Sequence, residues 1–181
     1  MYAIIAAVLV LLALWVAFDF NRLVRWRNMT AEAWSGIDVQ LKRRYDLVPN
    51  LVEAVRGYSA HEQETFTAVA RLRTRAIDAA PTEQTGAENA LSGGLRSLLA
   101  VAEGYPALRA NENFLALQQE LVEVEDQIQL ARRYYNGSVR NYNTLVQSFP
   151  SLVLARLVGF RSAEFFEIER ATERSAPEVV L

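Results

Sequence analysis

The chain has 181 residues, a formal charge of −2, one histidine and no cysteine. The lack of cysteine excludes disulfide frameworks, thiolate catalysis and Cys-based zinc sites, and the single histidine, His61, excludes any mechanism that needs two. Apolar residues make up 51% of the chain. Without the first eighteen, MYAIIAAVLVLLALWVAF, the share falls to about 45%, ordinary for a soluble domain. The arithmetic describes one short membrane segment plus a domain of about 160 residues, large enough for a real core. The slight negative charge argues against nucleic acid as a partner.

As a helix, Met1 to Phe18 is about 27 Å long, close to the roughly 30 Å hydrocarbon core of a bilayer. A cleaved signal peptide needs a basic start and a small-residue cleavage site, and Asp19-Phe20-Asn21-Arg22 is a poor exit sequence. A core helix of a soluble domain is rarely apolar all round. An uncleaved anchor fits best, with Tyr2 at one end and Trp15, Phe18 and Trp26 at the other placed as interfacial aromatics. Arg22, Arg25 and Arg27 follow the segment, against Asp19 alone. The positive-inside rule then puts the N-terminus outside and the remaining chain in the cytoplasm.

Strand signals are absent, and helical periodicity is long and repeated. A first helix continues from the anchor to about Tyr45, with Trp34, Ile37, Leu41 and Tyr45 on one face. Pro49 is expected to interrupt it and start a second helix, to about Ala79, with the stripe Val52, Val55, Tyr58, Phe66, Val69 and Leu72 or Arg73. Ala80 to Gly86 is a loop by composition. A third helix spans Glu88 to Glu103, weakened by Gly93-Gly94, and Gly104-Tyr105-Pro106 ends it. The fourth has the strongest pattern. Phe114, Leu117, Leu121, Val124, Ile128, Ala131 and Tyr135 step by three and four, and the stripe resumes at Val139, Tyr142, Val146 and Phe149. Pro150 stops or kinks it, and a short apolar piece, Leu152 to Phe160, follows.

The expected fold is all-α: an N-terminal transmembrane helix (1–20), an antiparallel four-helix bundle (21–160) and a C-terminal tail (161–181). The alternative is three helices, the first two forming one rod kinked at Pro49.

Chemistry is sparse. His61-Glu62 opens like a zinc-protease helix, but the second histidine that motif requires is Thr65. A di-iron bundle needs Glu-x-x-His twice, and Tyr58 stands where the glutamate would be. Glu120, Glu123, Glu125 and Asp126 crowd the fourth helix as a solvated acidic surface. No phosphate loop or nucleophile elbow is present. Neither a catalytic residue nor a cofactor or metal site is assigned. The segment Tyr134-Tyr135-Asn136-Gly137-Ser138-Val139-Arg140-Asn141-Tyr142-Asn143 is unusual, because three asparagines and a glycine sit where a helix disfavours them. It reads either as a hydrogen-bond network fixing helix register, or as a contact surface for a partner or second protomer built from Tyr134, Tyr135, Asn136, Asn141, Tyr142 and Asn143 with close backbone approach at Gly137. A ligand pocket near Tyr135 and Tyr142 is a further alternative.

Three long segments carry a family resemblance. AWSGIDVQLKRRYDLVPNLVEAVRGYSAHE (Ala33 to Glu62), ENALSGGLRSLLAVAEGYPALRANENF (Glu88 to Phe114) and ARRYYNGSVRNYNTLVQSFPSLVLARLVGF (Ala131 to Phe160) resemble the signature of the LemA family. Departures fall in the loop around Pro81 and in the last fifteen residues. The resemblance implies a single-pass bacterial inner-membrane protein with a four-helix cytoplasmic bundle and no assigned reaction. It also points to membrane proteases or other membrane proteins as partners.

The expected role is therefore a non-enzymatic scaffold or adaptor on the lipid bilayer, with a ligand sensor or carboxylate-metal hydrolase as alternatives. Homo-oligomers are expected, since Ala3, Ala6, Ala7 and Ala13 offer small packing surfaces in the anchor and the long fourth helix outruns the third. If Pro49 reverses the chain, Lys42, Arg43 and Arg44 meet the acidic start of the fourth helix as exposed ion pairs at the far tip. Arg71, Arg73, Arg75, Arg140, Arg156 and Arg161 then join Arg22, Arg25 and Arg27 in a basic belt facing anionic lipid. Leu152 to Phe160 would lie at headgroup level as a second membrane contact.

Overall fold

The computed structural model describes residues 1–59, 62–80 and 83–166. His61, Pro81 and the tail beyond Phe166 lie outside the described residues. The fold is all-α, with helices α1 (Tyr2–Arg56), α2 (Gln63–Ile77), α3 (Gln84–Glu103), α4 (Pro106–Arg109), α5 (Glu112–Gln147) and α6 (Ser151–Val158). The chain forms two compact units. One holds Met1–Val39 and Ile128–Phe166, and the described part of the other lies within Gln40–Gln127.

The expected break at Pro49 is corrected: α1 is one helix of 55 residues with Pro49 inside it. Proline removes the N–H that would bond the carbonyl of residue 45 and presses its ring toward that carbonyl. The freed oxygen finds another donor, for Arg73 Nε on α2 bonds Tyr45 O at 2.7 Å. The chain breaks instead at Gly57 and Tyr58, whose N–H groups close the turn on Glu53 O and Val55 O. The expected second helix is accordingly shorter, beginning at Gln63 rather than Pro49.

In the unit within 40–127, four helical pieces surround one core. Val48, Leu51 and Val55 of α1 meet Phe66, Val69 and Ala76 of α2, Leu91, Leu95 and Leu98 of α3, and Phe114 and Leu121 of α5. Gly94 has a packing reason: a Cβ there would lie 2.7 Å from Leu72 Cδ1 of α2, whereas Gly93 faces open space. Gly137 on α5 also has open space where a Cβ would go. Pro106 opens α4 at the helical position where its missing N–H is harmless. Asn111 caps α5, its Oδ1 accepting from Phe114 N at 3.1 Å.

In the other unit, Leu23 of α1 packs with Tyr142, Leu145 and Val146 of α5 and Leu154 and Ala155 of α6. Further along, Trp34 meets Tyr135 edge to face, centroids 5.2 Å apart. Rising numbers on α1 thus meet falling numbers on α5, and the two run antiparallel here. Residues 2–18 stay outside this packing: all but the half-buried Trp15 are exposed. By length and composition, this stretch of α1 is a candidate membrane span.

Candidate functional site

The buried polar residues occupy positions in the apolar stripes. On α1 the stripe Ile37, Leu41, Arg44, Val48, Leu51, Val55 steps by four and three, and every member is buried. On α3 the stripe Glu88, Leu91, Leu95, Leu98, Ala102 does the same. Helical spacing therefore drives Arg44 and Glu88 inward, and they form an ion pair with both side chains fully buried. Arg44 Nη1 also donates to Glu125 Oε1 at 2.8 Å and to Ser92 Oγ at 3.0 Å. Tyr45 donates its hydroxyl to Glu88, and Gln84 Nε2 reaches Glu88 Oε1 at 2.7 Å and Ala76 O at 3.2 Å. The expected pairing of the Lys42–Arg44 run with α5 is thus met by Arg44 and Glu125, but its setting is corrected: Arg44 is interior, and its main partner is Glu88. Arg44 faces two carboxylates, so the buried guanidinium is paired, the condition that makes a buried charge tolerable.

The asparagines of α5 act on the chain itself. Asn143 Nδ2 donates to Ala163 O at 2.9 Å, and Ala163 N donates back to Asn143 Oδ1 at 2.8 Å. Asn136 makes the same two bonds with Phe166, at 3.0 and 2.8 Å. A primary amide offers the donor and acceptor of a peptide group, so each asparagine acts as one rung of a ladder for the passing segment. The spacing fits: seven helical residues rise about 10.5 Å, and three extended residues span about 10 Å. Gln147 Nε2 adds a 3.0 Å bond to Ser162 Oγ, and Tyr135 donates to Glu164 O at 2.9 Å. Phe166 is buried between Trp34, at 5.7 Å, and the guanidinium of Arg132, at 4.5 Å from the ring centroid. Of the residues considered for a partner surface, Tyr135, Asn136, Tyr142 and Asn143 are engaged within the chain, while Tyr134 and Asn141 are exposed.

At the end of the apolar segment, Asp19 is buried and accepts a 2.7 Å bond from Ser151 Oγ, the first residue of α6. Asp19 precedes Leu23, Thr30, Ala33 and Ile37 at the same helical spacing, which explains why a carboxylate at this point faces inward. Phe160 packs edge to face on Phe20 and lies beneath the guanidinium of Arg27, 5.3 Å from the ring centroid. Arg22, Arg25, Arg27, Arg140, Arg156 and Arg161 are exposed. So are Arg71 and Arg75, but Arg73 is half-buried and bonded to Tyr45 O. The reversal expected at Pro49 falls at residues 57–59 instead, and Arg73 comes to lie against Tyr45. Glu120 and Glu123 are exposed on α5.

A model of the LemA family matches residues 33–180. The chain belongs to the LemA family. Relatives include magnetosome protein MamQ 2 of Paramagnetospirillum magneticum, 27% identical over 82% of this chain and 64% of that protein. MamQ of Magnetospirillum gryphiswaldense is 25% identical over 73% of this chain and 58% of its own length. Protein LemA of Metamycoplasma hominis is 26% identical over 83% of this chain and 71% of its own. The chain thus spans less than two thirds of the MamQ relatives' length. The ion-pair residues Arg44, Glu88 and Glu125 and the ladder residues Asn136 and Asn143 all lie inside the matched span.

Proposed function

We propose that this LemA family member is a non-enzymatic scaffold held in the bacterial cytoplasmic membrane by residues 2–18, N-terminus outside and remaining chain in the cytoplasm. One observation carries the reading. An exposed apolar stretch of membrane-spanning length runs, within a single unbroken helix, into residues that form packed cores. No flexible linker separates the apolar stretch from Leu23 and the other packed residues of its own unit. Arg44, Glu88, Asn136 and Asn143 are engaged in holding helices and a chain segment together. Arg22, Arg25 and Arg27, on the first turns beyond the apolar stretch, support the orientation and would each add about 1 kcal/mol of attraction to an anionic leaflet. Tyr134, exposed beside the ladder segment, supports contacts with a second copy or another membrane protein.

The chain's lack of cysteine gives a direct test. The full chain should resist alkaline carbonate extraction from membranes. A cysteine placed at Tyr2 should react with a membrane-impermeant maleimide from outside intact cells, and one placed at exposed Lys42 should react only after lysis. Extraction of the full chain, or the reverse labelling, rejects the anchor or its orientation. Cross-linking that leaves the protein monomeric and without a reproducible membrane-protein neighbour rejects the scaffold.

A further inference from the structure

We propose that α6 is an interfacial foot that lies in the lipid headgroup layer beside the span. The inference rests on the membrane-anchor reading above. The buried face of α6 is Ser151, Leu154 and Ala155. A surface helix bathed in water carries polar residues on its opposite face. Here that face holds Val153, 51% exposed, and Leu157, 80% exposed, with Phe149, 83% exposed, just before the helix. Arg156 is the one charge in α6, and Arg161 follows two residues after Gly159.

The position of this apolar face is fixed by contacts at both ends. Ser151 is bonded to Asp19, the first residue beyond the apolar stretch of α1. Beyond the far end, Phe160 sits against Phe20 and Arg27. Gly159, in the left-handed conformation at φ 85°, closes α6 and lets Phe160 turn back onto α1. Ser151 and Phe160 thus meet Asp19 and Phe20, within about 2 Å of helix axis from where the hydrocarbon ends, while Arg27 reaches Phe160 from further along α1. A headgroup layer is roughly 5–8 Å deep on each side of the bilayer. The exposed face of α6 is therefore continuous with the surface of the span and has lipid as its occupant. Phe149, Val153 and Leu157 reach toward the acyl chains, and Arg156 and Arg161 extend their stems along that surface to meet phosphate.

The test uses the full-length chain in vesicles of phosphatidylcholine and phosphatidylglycerol, with one cysteine carrying an environment-sensitive fluorophore. Leu157→Cys removes an exposed side chain, so the fold stays intact. Phe18→Cys reports on the span, and Arg133→Cys, exposed on α5, is the aqueous reference. Lipids spin-labelled near the acyl carbonyl should quench Leu157→Cys about three-fold more than Arg133→Cys, and aqueous iodide should quench it correspondingly less. Leu157→Cys open to iodide while Phe18→Cys is quenched by lipid overturns the foot and leaves the anchor standing. A label at Leu157→Cys silent to both quenchers means that protein, such as a second copy, covers the face, and also overturns it. Failure of lipid to quench Phe18→Cys overturns the anchor and the foot together.

Discussion

Arg73 on α2 supplies the hydrogen bond that Pro49 takes away from Tyr45. Its Nε lies 2.7 Å from the Tyr45 carbonyl oxygen, the acceptor a residue-49 N–H would otherwise have used. Proline inside a helix ordinarily destabilises by about 3 kcal/mol, and here a side chain from another helix fills the gap. Pro49→Ala restores a backbone donor to the same oxygen and makes Arg73 partly redundant. Arg73→Met alone should destabilise by about 1–2 kcal/mol, and by clearly less in the Pro49→Ala background. Thermal unfolding of the four proteins in detergent measures the coupling. Additive effects would show that the bond does not compensate for the proline.

The Arg44–Glu88 pair predicts a strong asymmetry between single and double variants. Glu88→Leu leaves a buried guanidinium with Glu125 as its remaining carboxylate, and a loss of about 3–5 kcal/mol is expected. Arg44→Met together with Glu88→Leu replaces both charges by apolar side chains in apolar stripes and should recover most of that loss. Unfolding midpoints decide the matter. A double variant no better than the single would mean that the pair contributes through its hydrogen bonds to Tyr45, Gln84 and Ser92 instead.

Asn143→Ala removes one rung of the ladder and frees the backbone of Ala163. Two bonds at about 1 kcal/mol each are lost. Hydrogen exchange at residues 160–166 should accelerate by roughly one to two orders of magnitude, while the stripe Val48, Leu51, Val55 keeps its protection. Asn143→Asp retains an acceptor for Ala163 N and loses the donor, so its effect should fall between. Uniform acceleration across the chain would show that the asparagine supports the whole fold rather than this segment.

Alkaline pH should loosen the unit that contains Tyr135 and Tyr142. Burial pushes the Tyr135 phenol above its ordinary value, and the charge of Glu164 adds to the rise. Burial also raises Tyr142, with Arg27 pulling partly back. A raised folded-state value means the neutral phenol is favoured in the native protein. Its stabilisation is complete below the unfolded value near pH 10 and is lost as pH climbs through the folded value. The unfolding midpoint should drop from about pH 10 upward, and the drop should shrink in Tyr142→Phe. An unchanged profile in that variant would assign the alkaline loss to other groups.

Much of this architecture was legible in the sequence because helices follow local rules. The span is a run of apolar residues, α5 is a long three-four stripe, and Gly104 with Pro106 ends α3 by chemistry intrinsic to those residues. The burial of Arg44, Glu88 and Asp19 was also encoded there, as polar residues in phase with apolar stripes, although a run such as Lys42-Arg43-Arg44 reads as a solvated face when only its composition is weighed. Tertiary structure decided the rest. Pro49 stays helical because Arg73, twenty-four residues later in sequence, comes within reach of Tyr45 O. Gly94 is small because Leu72 lies against it. Asn136 and Asn143 are tolerated in α5 because an extended segment twenty to thirty residues away takes up their amides. In each case the deciding partner is far along the chain, and a hydrogen bond or contact between distant residues leaves no periodicity in either local sequence. Helical phase is local information, while the satisfaction of a particular polar atom belongs to the packed molecule.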